Sequence, residues 1–159
     1  MDQPNPITEL TYEDAQVGFE FAPYTFHVTR DLVDRLADLL SEDLPLFRDP
    51  NAAKSAGYRE IVAIPILMNC YAHFIAILDG AGYRRPGESF HSRSGFKFIA
   101  PVYPGDTITS NMKIVDKWVK RDHQYLAFRI ESRNQDGDLV AEKYHASVWP
   151  SEATVRPAP

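Results

Sequence analysis

The longest apolar segment of the chain, from Ile61 to Gly82, has its apolar residues at helical spacing. One side of this helix consists of Leu67, Cys70, Tyr71, Phe74, Ile75 and Leu78, and the opposite side of Met68, Ala72, Ala76 and Ile77. A helix that is apolar nearly all round is normally buried on most sides. Pro65 suits its first turn, and Gly80 suits its end. We therefore predict one continuous buried helix over residues 65–79, about 22 Å long.

Four long runs with strand character follow that helix, and short polar turns separate them. The runs are Ser89–Val102, Thr107–Val119, Tyr125–Arg133 and Leu139–Trp149. Alternation along the second run places Ile108, Met112, Ile114 and Trp118 on one face. An antiparallel sheet with one apolar face has that face to bury, and the helix fills it. The pattern predicts an α+β fold in which a long curved antiparallel sheet wraps the central apolar helix, an arrangement that resembles the hot-dog fold.

The first third of the chain is predicted to add one strand and one amphipathic helix. Tyr24–Val28 is β-prone, and Thr29 is a suitable N-cap for a helix over Arg30–Leu40. In the connection that follows, Pro45 and Pro50 predict extended backbone, and Asp49 predicts a capped turn through Ala52 to Ala56. A connection of this length is more often functional than idle.

Length and composition are those of one globular domain. We predict an N-terminal arm at residues 1–11, a single domain at 12–150 and a flexible tail at 151–159. Apolar and charged fractions of 44% and 25% are ordinary for a soluble protein. The net charge of −5 argues against a nucleic-acid surface, which needs a basic face. The predicted helix is too short to cross a membrane, so we expect no membrane association.

The cysteine and the histidines of the sequence predict neither a disulfide nor a metal site. Cys70 is the only cysteine, so the chain forms no intramolecular disulfide, and we expect a reducing, cytoplasmic location. Its position on the apolar helix indicates core packing rather than a nucleophile. No two of the histidines have metal-ligand spacing, and no metal site is predicted. They are His27, His73, His91, His123 and His145.

Four sequence segments resemble the MaoC-like hydratase/dehydratase family, over about residues 12–149. They are YEDAQVG, ending at Gly18, SEDLPLFRDPNAAKSAGY, AIPIL at the start of the helix, and FIAPVYPGDTI. The resemblance implies a hot-dog fold and pairing into a homodimer or a heterodimer with another hot-dog subunit. It also implies an acyl-CoA or acyl-carrier thioester as the substrate, with coenzyme A entering as part of that substrate and no other cofactor.

The catalytic signature of that family, D-x-N-P-x-H, is altered in this chain. Aligned on Pro45, Glu42 stands at the aspartate, Leu44 at the asparagine and Phe47 at the histidine. Phenylalanine cannot transfer a proton, so the acid/base pair is incomplete. A proline, Pro65, also replaces the glycine of the family's A-H-G at the start of the helix. Both changes resemble the non-catalytic halves of two-part MaoC-like dehydratases.

Four residues are candidates for a replacement acid or base. Glu42 and Asp43 can form a carboxylate pair in which one pKa is raised, and the alternative is two solvated carboxylates after a helix end. His73, on the least apolar flank of the central helix, and His91, in the strand beyond, are candidate catalytic histidines. Ordinary packing of semi-buried histidines is the alternative for both.

Four basic residues are candidates for binding the phosphates of coenzyme A. They are Arg84, Arg85, Arg93 and Lys97, around the loop after the helix and the strand beyond it. Arginine binds phosphate in a bidentate manner, whereas the alternative interpretation is an ordinary solvated surface.

Together these features predict a subunit of an enoyl-CoA hydratase or 3-hydroxyacyl dehydratase, weak or inactive alone, with its site between subunits. Two alternatives stay open. One is a non-catalytic acyl-CoA-binding or scaffold subunit, which the altered signature favours. The other is a hot-dog thioesterase, in which Asp79 at the helix end would be the carboxylate that activates water.

Overall fold

The computed structural model describes residues 7–151 and contains a five-stranded antiparallel sheet whose inner face packs on the central helical segment. The strands are β1 (Thr8–Glu9), β2 (Tyr24–His27), β3 (Tyr83–Arg84), β4 (Phe90–Phe98), β5 (Thr107–Lys120), β6 (His123–Arg133) and β7 (Leu139–Trp149). The sheet order is β2-β5-β6-β7-β4, and β1 pairs in parallel with β3. Residues 1–6 of the predicted arm and 152–159 of the predicted tail lie outside the described residues.

Helices occupy the first half of the chain. They are α1 (Arg30–Leu39), α2 (Pro45–Arg48), α3 (Pro50–Ser55), a 3₁₀ turn at Pro65–Leu67, α4 (Met68–Tyr71) and α5 (Phe74–Gly80). Thr29 caps α1 by accepting the Leu32 N–H, as predicted. Asp49 caps α3 by accepting the Asn51 N–H, also as predicted. The prediction of extended backbone at Pro45 and Pro50 was wrong, because each proline begins a helix, where a missing N–H costs nothing.

The central helix is interrupted, so the prediction of one continuous helix was wrong. Ala72 (φ −108°, ψ 43°) and His73 (φ −81°, ψ 110°) leave the helical region between α4 and α5. The Ala72 carbonyl accepts a hydrogen bond from Lys143 Nζ of β7 at 3.1 Å. The segment is nevertheless buried on most sides, as predicted: Leu67 and Phe74 of one side and Met68 and Ile77 of the opposite side are almost fully buried.

A β-bulge corrects the predicted faces of β5. The register with β6 shifts between Ile114 and Asp116. Beyond the shift, Lys117 lies opposite the buried Leu126, and Trp118 stacks on Tyr125 on the other face, with ring centroids 5.0 Å apart. The prediction that Trp118 shares the face of Ile114 was therefore wrong. An inserted residue reverses the alternation of every position beyond it.

The remaining strands follow their predictions closely. β7 has the predicted bounds, and the polar turn before β6 contains Arg121 and Asp122, both at positive φ (51° and 63°). Two residues in that conformation form the tight hairpin turn that matches strand twist. The predicted first long strand is shorter, since β4 ends at Phe98.

The inner faces of β5, β6 and β7 and the helical segment form the core. Its largest fully buried side chains are Trp149 and Phe128. Trp149 Nε1 donates to the Leu10 carbonyl at 2.7 Å, which ties the start of the described chain to its last strand. Within residues 7–151, no helix has the length and hydropathy of a membrane span.

Candidate functional site

A groove runs between the central helical segment and the edge strand β4, and it contains two neighbouring cavities. Each cavity is lined by both elements. Tyr71 and Phe98 line the first, whereas His73 and Phe96 line the second. The volumes are about 310 Å³ and 540 Å³. We call them the apolar cavity and the cationic cavity, from the residues described below.

The apolar cavity is bounded by α2, the start of the helical segment and the chain after β4. Its walls include Leu46, Phe47, Tyr58, Val62, Ile64, Leu67, Tyr71, Ile99 and Val102. Phe47, at the position of the signature histidine, is thus part of a hydrophobic wall. Burial raises the pKa of the Tyr71 phenol, so that group stays protonated at neutral pH. The lining suits a hydrocarbon chain and offers no group that titrates near neutrality.

Glu42 and Asp43 lie on the loop between α1 and α2. Glu42 Oε1 accepts the Leu44 N–H at 3.0 Å, and Asp43 is exposed. Neither residue belongs to the lining of either cavity. The structure therefore does not bring these two carboxylates together with His73 and His91.

The cationic cavity does bring the two candidate histidines together. His73 Nδ1 accepts the Ala76 N–H at 3.1 Å and so caps α5, which leaves Nε2 as the second ring nitrogen. His91 of β4 makes a 2.8 Å hydrogen bond with Ser94 Oγ through Nε2. His73 and His91 thus face the same cavity from opposite walls, each with one nitrogen in use.

Two residues that the sequence analysis did not single out form the floor of this cavity. His145 of β7 stacks between Phe74 and His91, at centroid distances of 4.1 Å and 4.8 Å. Burial, aided by repulsion from His91, Lys143 and Arg85, lowers the pKa of His145 to about 3, so this imidazole is neutral at physiological pH. It hydrogen-bonds Ser147 Oγ at 2.9 Å.

Lys143, the second of these residues, is almost fully buried. Its Nζ donates to the Ala72 carbonyl at 3.1 Å and to Asn69 Oδ1 at 3.4 Å, and it lies 5.6 Å from the centre of the Phe96 ring. Burial lowers the pKa of this ammonium group. No carboxylate is among the residues that line the cavity. A signal in the sequence could have found both residues. By the alternation of β7, Lys143 and His145 lie on the same face as Ala141 and Trp149, which are buried.

The four candidate phosphate-binding residues lie on three separate surfaces. Arg84 of β3 pairs with Glu9 at 3.3 Å. Arg85 lines the cationic cavity and donates to the Ser89 carbonyl at 3.3 Å.

The other two are on the outer face of β4. Arg93 lies over the Tyr144 ring, 5.8 Å from its centre, and Lys97 pairs with Glu142 at 3.6 Å. Of the four, Arg85 alone faces the groove.

Two further candidate residues, Asp79 and Cys70, do not line either cavity. Asp79, the carboxylate that the thioesterase alternative requires, is exposed in the last turn of α5 and lines neither cavity. Cys70 is half-buried, and burial raises the pKa of its thiol, which keeps it in the unreactive protonated form. Among the described residues, no group of three His, Cys, Asp or Glu side chains has the arrangement of a metal site.

Comparison with known proteins places this geometry in context. Residues 15–143 match the family described as FAS1-like, dehydratase domain region. The chain is 32% identical to a UPF0336 protein of Thermobifida fusca, covering 74% of this chain and 80% of that protein. It is similar to the HadBC (3R-hydroxyacyl-ACP dehydratase) complex of Mycobacterium tuberculosis, with 26% identity, TM-score 0.72, and 83% and 96% of the two chains covered.

A MaoC-like dehydratase from Rhodospirillum rubrum has 18% identity and a TM-score of 0.72, with 89% and 98% of the chains covered. These similarities confirm the predicted α+β hot-dog fold and the resemblance to MaoC-like proteins.

Proposed function

Because this chain belongs to the FAS1-like dehydratase-region family and shares its fold with a MaoC-like dehydratase, we propose that it is the supporting subunit of an acyl-thioester hydratase/dehydratase. The reaction interconverts a 2-enoyl thioester plus water and a 3-hydroxyacyl thioester. The observation that carries the proposal is the position of Phe47 in the wall of the apolar cavity, where the family's signature has a histidine. In this proposal the chain holds the acyl group, and a partner hot-dog subunit carries the acid and base.

The chemistry explains why a phenylalanine at that position favours binding over catalysis. Hydration requires one group to take a proton from water and one to deliver a proton to the carbon next to the thioester carbonyl. Both need a pKa near the working pH and contact with the substrate. The apolar cavity supplies neither, and Glu42 hydrogen-bonds its own loop.

The apolar cavity is well suited to the acyl chain of the substrate. Each methylene that moves from water into such a lining contributes about 0.8 kcal/mol. The carrier end of the thioester would lie toward the cationic cavity, where Arg85 is the best placed of the four predicted phosphate ligands. Arg84, Arg93 and Lys97 remain predicted phosphate contacts, and their separation argues for weaker roles.

A partner subunit would sit along β4. This strand pairs only with β7, so its other edge is open in the described chain. The similar HadBC structure is named as a complex, which supports pairing with a second hot-dog subunit. We propose a heterodimer in which the partner carries an intact D-x-N-P-x-H loop.

The decisive experiment measures binding and turnover separately. The purified chain is mixed with a short and a long 2-enoyl-CoA, and loss of the conjugated double bond, release of free thiol and calorimetric binding are followed. We expect saturable binding, tighter for the longer acyl chain, without hydration. Rapid hydration by the chain alone would contradict the supporting role, and rapid thiol release would establish the thioesterase alternative.

A cavity-filling variant tests where the acyl group binds. Ala100→Trp fills the apolar cavity, and Ala22→Trp, at an exposed position, is the matched control. We expect the first variant to lose the preference for longer acyl chains and the second to retain it. Equal effects of the two variants would place the acyl chain elsewhere.

A further inference from the structure

Lys143 is a buried basic residue that the proposed supporting role does not use. It is 6% exposed, yet it lines the cationic cavity. Its Nζ donates to two neutral oxygens, the Ala72 carbonyl at 3.1 Å and Asn69 Oδ1 at 3.4 Å. A buried ammonium group is normally paired with an anion, but the residues that line this cavity include no carboxylate. The surroundings of Lys143 therefore do not favour its charged form.

The two hydrogen bonds of Lys143 fit a neutral amine better than an ammonium group. An ammonium group has three N–H donors, whereas a neutral amine has two N–H donors and one lone pair. The Ala72 and Asn69 oxygens accept two hydrogen bonds, which satisfies both donors of the neutral amine. The Phe96 ring, whose centre lies 5.6 Å from Nζ, supplies no further acceptor oxygen. In the neutral form, the lone pair of Lys143 is therefore free to react.

The other basic groups of the cationic cavity add no negative charge beside Lys143. They are Arg85 and the three imidazoles of His73, His91 and His145. His145 is neutral at physiological pH, because its pKa is lowered to about 3. Burial lowers the pKa of the Lys143 amine as well. A desolvated lysine in a pocket of this kind is a recognised type of protein nucleophile.

The nitrogen of Lys143 lies at the junction of the two cavities. Its hydrogen-bond partner Ala72 stands between Tyr71, which lines the apolar cavity, and His73, which lines the cationic cavity. In the proposed function, the acyl chain occupies the apolar cavity and the carrier end lies toward the cationic cavity. The thioester group joins those two parts, so its carbonyl carbon would lie near Lys143 Nζ.

Resting on the proposed role in acyl-thioester chemistry, we propose that Lys143 accepts the acyl group of a bound acyl thioester and becomes an N-acyl-lysine. The neutral Nζ attacks the thioester carbonyl, a C–N bond forms and the C–S bond breaks. One proton moves from the nitrogen to the sulfur, which leaves as a thiol, and no further reactant takes part. The reaction removes the charge of Lys143 and leaves the acyl group across the junction of the cavities.

The test follows butyryl-CoA, a saturated thioester that cannot be hydrated, with the purified full chain at about pH 7.5. Acylated lysines are identified and timed by mass spectrometry of peptides. We expect Lys143 to react at least about tenfold faster than the exposed Lys54 and Lys120, because more of it is neutral and the thioester is bound beside it. Equal rates at the three lysines would overturn the proposal.

Two controls separate the effect of the fold from that of the local sequence. In concentrated urea the preference for Lys143 should disappear, and a preference that persisted would contradict a role for the cavity. In the folded chain, the acylation rate at Lys143 should level off at a lower pH than the rate at Lys120, since its pKa is lowered. Parallel pH profiles for the two lysines would show that Lys143 is not activated.

A pair of variants confirms the position of the reactive amine. Lys143→Arg should lose the fast reaction, whereas Lys97→Arg, on the outer face of β4, should retain it. The comparison of lysines within the wild-type chain needs neither variant, so it stands if Lys143→Arg fails to fold.

Reversible binding of a 2-enoyl-CoA, measured on the same wild-type sample, separates this proposal from the supporting role. Binding without acylation of Lys143 would overturn the acylation proposal and leave the supporting role intact. Absence of both would overturn both.

Discussion

The apolar and cationic cavities share one helical segment and one edge strand, yet they are built in different ways. The apolar cavity is formed largely by residues near one another in sequence, from Leu46 to Tyr71, completed by the chain after β4. The cationic cavity depends on Lys143 and His145, which arrive from β7 some seventy positions later. The difference teaches that residues close in sequence build the end of the groove that suits an apolar ligand, whereas the cationic end is assembled from residues that are distant in sequence.

Removing apolar volume should have the largest effect on stability. Leu67 lies in the wall of the apolar cavity and is 1% exposed. We expect Leu67→Ala to lower the free energy of unfolding by about 2–5 kcal/mol, because it deletes buried methyl groups and leaves a void. Urea denaturation measures this loss. The neighbouring Ile66→Ala, at a position half exposed, is the control and should change it little; equal losses would mean that this wall is not part of the core.

The second-largest expected effect is a loss of stability in acid, which acts through His145 in the cationic cavity. His145 has a folded pKa of about 3, below the ordinary unfolded value of 6.5. Below about pH 6.5 the unfolded state therefore binds a proton at His145, whereas the folded state does not. The free energy of unfolding consequently decreases as the pH drops from about 6.5 toward 3. Between pH 7 and pH 5 this contributes about 2 kcal/mol.

The variant His145→Phe keeps a ring against Phe74 and cannot titrate. Its free energy of unfolding should depend less steeply on pH than that of wild type across the same interval. Parallel pH profiles for the two proteins would show that His145 is not held neutral by burial.

Removing the N-cap at the interruption of the central helix should have a smaller effect on stability. His73 Nδ1 accepts the Ala76 N–H at the start of α5. We expect His73→Ala to cost about 1 kcal/mol and His73→Ser to recover most of it, since serine is a good N-cap. Thermal unfolding measures both. If serine restores stability but an assembled dehydratase stays slow, His73 has a chemical role in addition to capping.

The smallest effect is expected on the altered signature loop. Glu42→Gln keeps an oxygen that accepts the Leu44 N–H, so stability should change by less than about 0.5 kcal/mol. In the supporting role, the hydration rate of the assembled enzyme should also be unchanged. A lower hydration rate without a loss of stability would indicate that Glu42 takes part in catalysis.

Local signals in the sequence predicted a large part of this fold. Thr29 and Asp49 are caps because their side chains serve N–H groups two or three residues away, and the bounds of β7 follow from alternation. The interruption at Ala72 was not predictable in this way, since no glycine or proline marks it and Lys143, which hydrogen-bonds the Ala72 carbonyl, lies 71 positions further along.

The candidate site was predicted less completely, for the same reason. His73, His91 and Arg85 were singled out as separate residues, and the fold places them around one cavity. The bulge beside Val115 reversed the faces of Lys117 and Trp118, and a bulge leaves no composition signal of its own. Whether Glu42, Asp43, His73 and His91 take part in catalysis stays a prediction, and the variants above test it for Glu42 and His73.

The hydrogen bond from Trp149 to Leu10 has a consequence for the order of events during synthesis. The two residues are 139 positions apart, so this contact cannot form until the last strand has left the ribosome. The apolar helical segment is likewise made before β5, β6 and β7, the strands that cover it. Contacts between distant residues slow folding, and the nascent segment exposes its apolar surface for several seconds at ordinary elongation rates. The chain is therefore expected to depend on chaperones while it is being made, even though the finished domain is well packed.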